Sequence, residues 1–251
     1  MTDELLSLRV IVASRSPEHH DLFRQAASSA AVPIDVSTAD GAAAARNELA
    51  VGADVVYLDD GLAPSDISQI IAAARAARNP PFTVLLSGKE RGAGFLDADA
   101  LAGRPAQLDE AKQLIQRSIR VRLPSRVLIV DDSATMRSIV RRLLSGTRFP
   151  LEVLEAEEGF AALQQVRDAA IDIVFLDYNM PDFSGLETIA EFKRERRRVY
   201  VVLMTSMADE SLRERAGEQG AAFLKKPFYP ADIEAVLCHF YGLRALNPKR
   251  A

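Results

Sequence analysis

Tryptophan is absent from this chain of 251 residues, cysteine occurs once, histidine three times, and aromatic residues make up only 6% of it. A single cysteine excludes an internal disulfide and fits a reducing compartment, so a cytoplasmic location is expected. Cys238 reads as a small core hydrophobe on the last helix. His19, His20 and His239 are too few and too scattered to build a zinc site with it. An excess of positive charge is also missing. The 31 Lys and Arg stand against 35 Asp and Glu, a net charge of −4 that leaves no footprint for nucleic acid. No apolar run approaches the roughly 18 residues needed to cross a bilayer, so no membrane partner is expected. The opening MTDELLSLRV lacks the basic region and apolar core of a signal peptide. A Walker-type phosphate loop and a G-x-S-x-G elbow are missing too; GKERGAG from Gly88 has glycines without the spacing.

The length suggests about two domains of ordinary size. Short β-type runs alternate with helical patterns throughout, which reads as βα units on parallel sheets. The boundary is expected at RLPSR (Arg122 to Arg126), giving domains at 1–122 and 123–251. In the second half strands are predicted near Val127–Val130, Glu152–Glu155, Ile173–Leu176, Tyr200–Met204 and Ala222–Leu224. Ser133 can cap the first helix, whose apolar face is expected to be Met136, Ile139, Val140, Leu143 and Leu144. Gly146 is expected to end that helix in a left-handed conformation. Ile233, Val236, Leu237, Phe240 and Tyr241 repeat the pattern in the last helix.

The first half repeats this order. RVIVASRS pairs with RVLIVDDS, DVVYLDDGLAP with DIVFLDYNMP, and TVLLSG with VVLMTS, at offsets of 117, 118 and 118 residues. Between Arg104-Pro105 and Lys226-Pro227 the offset becomes 122. A duplicated fold with one deletion of about a helical turn explains this jump. Together with Gly88, Gly92 and Gly94 it predicts a short or irregular fourth helix in the first domain.

Four stretches of the second half end apolar runs with polar residues: VLIVDDS (Asp131, Asp132), IVFLDYNMP (Asp177), VVLMTS (Thr205) and LKKPF (Lys226). Strand ends are where parallel α/β sheets bind ligands. Asp177 is the candidate nucleophile toward a phosphohistidine or a small acyl phosphate. Asp131 and Asp132 suit Mg²⁺, a hard cation that takes one or two carboxylates. Lys226 supplies a point charge and Thr205 a hydroxyl, so the work is positioning and electrostatics. The basic run Lys193 to Arg198 reads as a solvated helix end before a strand.

On these motifs, residues 125–243 resemble a response-regulator receiver domain, with DDSATMRSIVRRLL most similar to the chemotaxis-type regulators. The resemblance implies a flavodoxin-like, doubly wound domain with strand order 2-1-3-4-5. It makes Asp177 the phosphoacceptor, with Asp131, Asp132, Asp177 and the backbone carbonyl of Asn179 as Mg²⁺ ligands. It makes Thr205 the switch hydroxyl and Lys226 the paired lysine, with a cis bond before Pro227. Phe223 falls at the family's rotating aromatic position, where without a hydroxyl it can act through packing alone. Met207 cannot orient a hydrolytic water, which fits slow self-dephosphorylation.

Residues 7–122 resemble a degenerate receiver, a pseudo-receiver. Ser14 and Arg15 replace the acid pair, while Asp59, Ser87 and Arg104 hold the acceptor, hydroxyl and cation positions. Arg15 is expected to pair with Asp59 directly and leave a metal-free, neutralised pocket.

The implied protein is a two-domain response regulator that takes a phosphoryl group from a histidine kinase or phosphotransfer protein. Its output goes to an unknown protein target, or into a homodimer or inter-domain contact. No enzymatic activity is expected beyond Mg²⁺-dependent self-phosphorylation and self-dephosphorylation of Asp177. One alternative is a phosphate sink or kinase-regulating module. Another is the N-terminal part of a larger output enzyme, although LRALNPKRA from Leu243 is too short for an output domain.

Overall fold

The runs VIVA, VVYL, VLIV and IVFL are almost wholly inaccessible to solvent. A strand can bury both faces in this way only inside a parallel sheet covered by helices on each side. The computed structural model describes residues 7–88, 97–181, 184–195, 199–207 and 210–246. The first half runs β1 (Leu8–Ala13), α1 (Pro17–Ser28), β2 (Ile34–Ala39), α2 (Ala42–Val51), β3 (Val55–Asp59), α3 (Pro64–Ala76), β4 (Phe82–Ser87), β5 (Ala100–Gly103) and α4 (Leu108–Arg122). The second runs β6 (Ser125–Val130), α5 (Ala134–Ser145), β7 (Leu151–Ala156), α6 (Gly159–Asp168), β8 (Ile173–Asp177), α7 (Gly185–Arg194), β9 (Tyr200–Thr205), α8 (Glu210–Glu218), β10 (Ala222–Lys225) and α9 (Pro230–Phe240).

Each half builds a parallel five-stranded sheet, β2-β1-β3-β4-β5 in the first and β7-β6-β8-β9-β10 in the second. Both are the order 2-1-3-4-5, so the fold is a flavodoxin-like, doubly wound pair. The outermost strands β2 and β7 share one half-exposed burial pattern, as strands with one free edge should. In each sheet the order reverses between the first and third strands. The crevice that a reversal opens lies at their C-terminal ends, beside Ser14 and Asp59 in one half and Asp131 and Asp177 in the other.

The sequence expectations need correction at three points. On α5 the buried face is Arg137, Val140 and Leu144, with Ile139 turned out to solvent. The stripe is rotated because an arginine, not an aliphatic residue, fills its first position. Gly146 has φ −80°, an ordinary right-handed helical value; its N–H donates to the carbonyls of Arg142 and Leu143, and the Thr147 N–H donates to that of Leu144. The left-handed cap is unnecessary once those carbonyls are satisfied.

The third correction concerns the chain end. Among the described residues, 7–123 and 241–246 make one compact unit, and Pro124–Phe240 make the other. The segment after α9 thus belongs with the first domain, not the second. Leu101 on β5 and Arg244 exchange two backbone hydrogen bonds of 2.7 and 2.8 Å in an antiparallel bridge. Tyr241 and Leu243 are buried, Leu246 joins the first unit's core, and the Arg120 guanidinium lies 5.8 Å from the Tyr241 ring centre. Gly242 makes the turn with φ +72°, and a Cβ there would come within 2.9 Å of Arg117 Nε. An edge strand is a liability when bare, and this segment covers it. The expected short fourth helix of the first domain falls on residues 89–96, outside those described; no helix stands between β4 and β5 among the described residues.

Candidate functional site

β6 and β8 deliver Asp131 and Asp177 side by side because both acids are the first polar residues after fully buried runs. Asp131 and Asp177 are themselves buried, while Asp132 is exposed at the rim. One carboxylate oxygen from each lies within 4.8 Å of the others. Lys226, at the end of β10, places Nζ 2.8 Å from Asp131 Oδ2 and 2.8 Å from Asp177 Oδ1. It follows a backbone hydrogen bond of 2.7 Å from its own N–H to the Thr205 carbonyl, and Lys226–Pro227 is cis. The other oxygen of Asp131 accepts the Ser133 N–H at 2.9 Å.

Three carboxylates against one ammonium leave two negative charges in the cluster. Hard oxygen donors with a net charge of that size suit a small divalent cation such as Mg²⁺. Burial pushes the Asp177 carboxyl above its ordinary range, Lys226 pulls it down, and Asp131 pushes it up again. Lys226 is also held above its ordinary value: burial lowers it, but bonds to Asp131 and Asp177 outweigh that. The pair is asymmetric because the lysine faces two carboxylates while Asp177 faces a like charge as well as an opposite one.

Thr205 ends β9, wholly buried, and its hydroxyl accepts the Met207 N–H at 3.1 Å. Asn179 sits on the exposed loop after β8. Phe223 on β10 is half-buried with the Arg213 guanidinium 5.0 Å from its ring centre, so it is stacked under a cation of α8.

Two further residues shape this site. Gly185 starts α7, after the capping box of Ser184 and Glu187. A Cβ on it would sit 2.5 Å from Leu203 Cδ1 and 2.8 Å from the Asp177 carbonyl oxygen. Only glycine lets α7 start this close to the acceptor strand. Gly185→Ala is expected to destabilise the second unit by about 1–3 kcal/mol, the usual cost of overpacking; chemical denaturation would measure it. Arg137, buried on α5, reaches the backbone of both loop acids. Its signal was in the sequence, since it sits three and seven residues before Val140 and Leu144 on the buried stripe.

The equivalent crevice of the first unit is closed by its own side chains. Ser14 Oγ donates to Asp59 Oδ2 at 2.6 Å, and His19 Nδ1 lies 3.0 Å from the same oxygen. Arg104 Nη2 is 2.7 Å from Asp59 Oδ1 and also pairs with Asp60. The Gly61 N–H donates to Asp59 Oδ1 at 3.0 Å. Ser87 ends β4, half-buried. The expected Arg15–Asp59 pair is not formed. Arg15 points outward, 63% exposed, toward Asp66 on α3 at 3.5 Å. Ser14 and His19 already occupy the inward side, so Arg104 supplies the cation instead. His19 had no sequence signal: the histidine lies on α1, and only the fold brings it to Asp59.

Acidification therefore acts on the two aspartates in opposite directions. Burial raises Asp59, but Ser14, Gly61, Arg104 and His19 together bring it below its ordinary value. Its stabilising contribution is present above the ordinary carboxylate range and is lost as pH falls through the lowered value. Asp177, raised, opposes folding at neutral pH, and that opposition is relieved as pH falls through the raised value. In metal-free protein near neutral pH, Asp59→Asn should destabilise the first unit and Asp177→Asn should stabilise the second. Both differences should shrink on acidification, which pH-dependent melts of the two variants would show.

The response regulator receiver domain family matches residues 127–237. The chemotaxis protein CheY of Bacillus subtilis is 33% identical over 104 residues, which is 41% of this chain and 86% of that protein. The chain belongs to the response-regulator receiver family of two-component systems. The cyclic di-GMP phosphodiesterase response regulator RpfG of Xanthomonas campestris is 30% identical over 145 residues, 57% of this chain but only 38% of that protein. The chain thus spans well under half of that relative. A crystal structure of a putative two-component response regulator/GGDEF domain protein superposes with a TM-score of 0.58 at 20% identity. That overlap covers 94% of this chain and 98% of the other, a likeness of fold. Among the described residues no helix is long and apolar enough to cross a membrane.

Proposed function

We propose that Asp177 accepts a phosphoryl group from the phosphohistidine of a histidine kinase or phosphotransfer protein. The observation that carries this is the buried Asp177 carboxylate, bridged by Lys226 to Asp131 within a three-carboxylate cluster. An Asp177 oxygen forms the new O–P bond as the P–N bond to the donor imidazole breaks, and the ring nitrogen keeps the bonding pair. Lys226 neutralises charge on the acceptor side, and Thr205 would donate its hydroxyl proton to a phosphoryl oxygen afterwards. Asp131, Asp132, Asp177 and the Asn179 carbonyl are the residues that would hold Mg²⁺. When bound, the cation would neutralise negative charge on the transferring group.

In this reading the protein works in the cytoplasm and catalyses nothing beyond transfer to, and loss from, its own Asp177. The first unit is a receiver whose pocket has been neutralised from within, retained as a binding surface for a protein partner. A second reading passes the signal to an enzymatic output domain. It is favoured by the likeness to RpfG, a response regulator named as a phosphodiesterase, of which this chain matches 38%. Sequencing the gene beyond Ala251 separates the two. The phosphoacceptor reading is tested by incubating the chain with a small acyl phosphate, with and without Mg²⁺. One added phosphoryl group by intact mass, only with Mg²⁺, is the expected result.

A further inference from the structure

Arg137 is a charged side chain on the buried stripe of α5, only 9% exposed. Four of its contacts are within reach of a single planar guanidinium. Nη1 donates to the backbone carbonyl of Asp131 at 2.9 Å and lies 3.4 Å from that of Asp132. Nε donates to Glu155 Oε2 at 3.1 Å and Nη2 to Glu157 Oε1 at 2.6 Å. The glutamates belong to β7 and the loop after it, so the guanidinium is anchored to the sheet on one side and grips the acid loop on the other.

We propose that Arg137 is a positioning residue for divalent-cation binding, acting on the main chain of Asp131 and Asp132 rather than on their side chains. The inference rests on reading Asp131, Asp132 and Asp177 as a Mg²⁺ site. Three carboxylates gathered within 4.8 Å repel one another, and the short loop between β6 and α5 is what yields to that repulsion. Two devices oppose it. Ser133 N–H and Lys226 hold the Asp131 carboxylate from the pocket side. Arg137 holds the carbonyls from behind, which turns both side chains toward the pocket. Only a guanidinium suits the place: its donors lie in one plane with fixed spacing, whereas an ammonium is a point charge that cannot span two carbonyls and two glutamates. The two glutamates also offset the charge of Arg137, so its influence on a bound cation is geometric rather than repulsive.

The test uses the full chain, with Mg²⁺ titrated calorimetrically and melting followed with and without Mg²⁺. Arg137→Ala should raise the Mg²⁺ dissociation constant about tenfold, the lower end of what removing an outer support of metal ligands does. The Mg²⁺-induced rise in melting temperature should shrink in proportion, and Arg137→Lys should fall between the two. A purely structural role lowers the metal-free melting temperature and leaves the dissociation constant and the Mg²⁺ increment at wild-type values. That result in Arg137→Ala overturns the inference. If Arg137→Ala does not fold, Arg137→Lys decides in the same way: weakened Mg²⁺ binding supports the inference and unchanged binding overturns it. Failure of the wild-type chain to bind Mg²⁺ overturns the site reading and this inference with it.

Discussion

Asp177→Asn is expected to abolish modification by a small acyl phosphate, with no residual phosphoryl group on intact-mass analysis. An amide oxygen is too weak a nucleophile to attack phosphorus, yet it still accepts a hydrogen bond from Lys226 where Asp177 Oδ1 does now. The loss would therefore be chemical rather than a collapse of the site. Mg²⁺ affinity should drop as well, because one of three clustered carboxylates is gone. Asp59→Asn provides the internal comparison: the same substitution in a sister fold should leave modification at the wild-type level. Residual labelling of the Asp177 variant would mean that another residue takes the phosphoryl group.

The second large effect is on stability. Ending the chain at Phe240 should destabilise the first unit by at least about 3 kcal/mol, since the loss of one buried aromatic side chain alone costs that much. Tyr241 and Leu243 would go together with both hydrogen bonds that cover β5. With two units, melting is not a single two-state event, and calorimetry should resolve a lowered transition for the first unit. Mg²⁺ binding should persist, because every residue of the carboxylate cluster lies before Phe240. Tyr241→Ala in the full chain should move the same transition in the same direction. An unchanged melting profile in the truncated chain would show that the segment lies on β5 without holding it.

Much of the fold could be read from periodicity. The central strands announce themselves because VIVA, VVYL, VLIV and IVFL admit no solvent-facing residue, and the repeat offsets tie the two halves together. The acids and Lys226 were legible for a similar reason: each stands among the first polar residues after an apolar run. What periodicity could not show was direction and distance. Arg15 sits one residue from the pocket in sequence, yet the loop turns it toward Asp66. Arg104 and His19 reach Asp59 from β5 and α1, and that meeting exists only once the sheet has formed. Its place on the stripe of α5 was the one hint at Arg137, and its partners, two carbonyls and two glutamates, meet it only once the fold has formed. The docking of Tyr241 and Arg244 beside β5 is a non-local pairing with no local signature beyond Gly242.

Two crevices at the same place in the same fold are expected to differ: the second to carry phosphoryl chemistry, the first to be neutralised by its own side chains. The most direct measurement treats the full chain with acyl phosphate and Mg²⁺, traps the aspartyl phosphate by borohydride reduction, and maps the product by peptide mass spectrometry. The expected result is reduced product at Asp177 alone, dependent on Mg²⁺, with the Asp59 peptide unmodified. Trapped product at Asp59, or none at Asp177 with Mg²⁺ present, would contradict it.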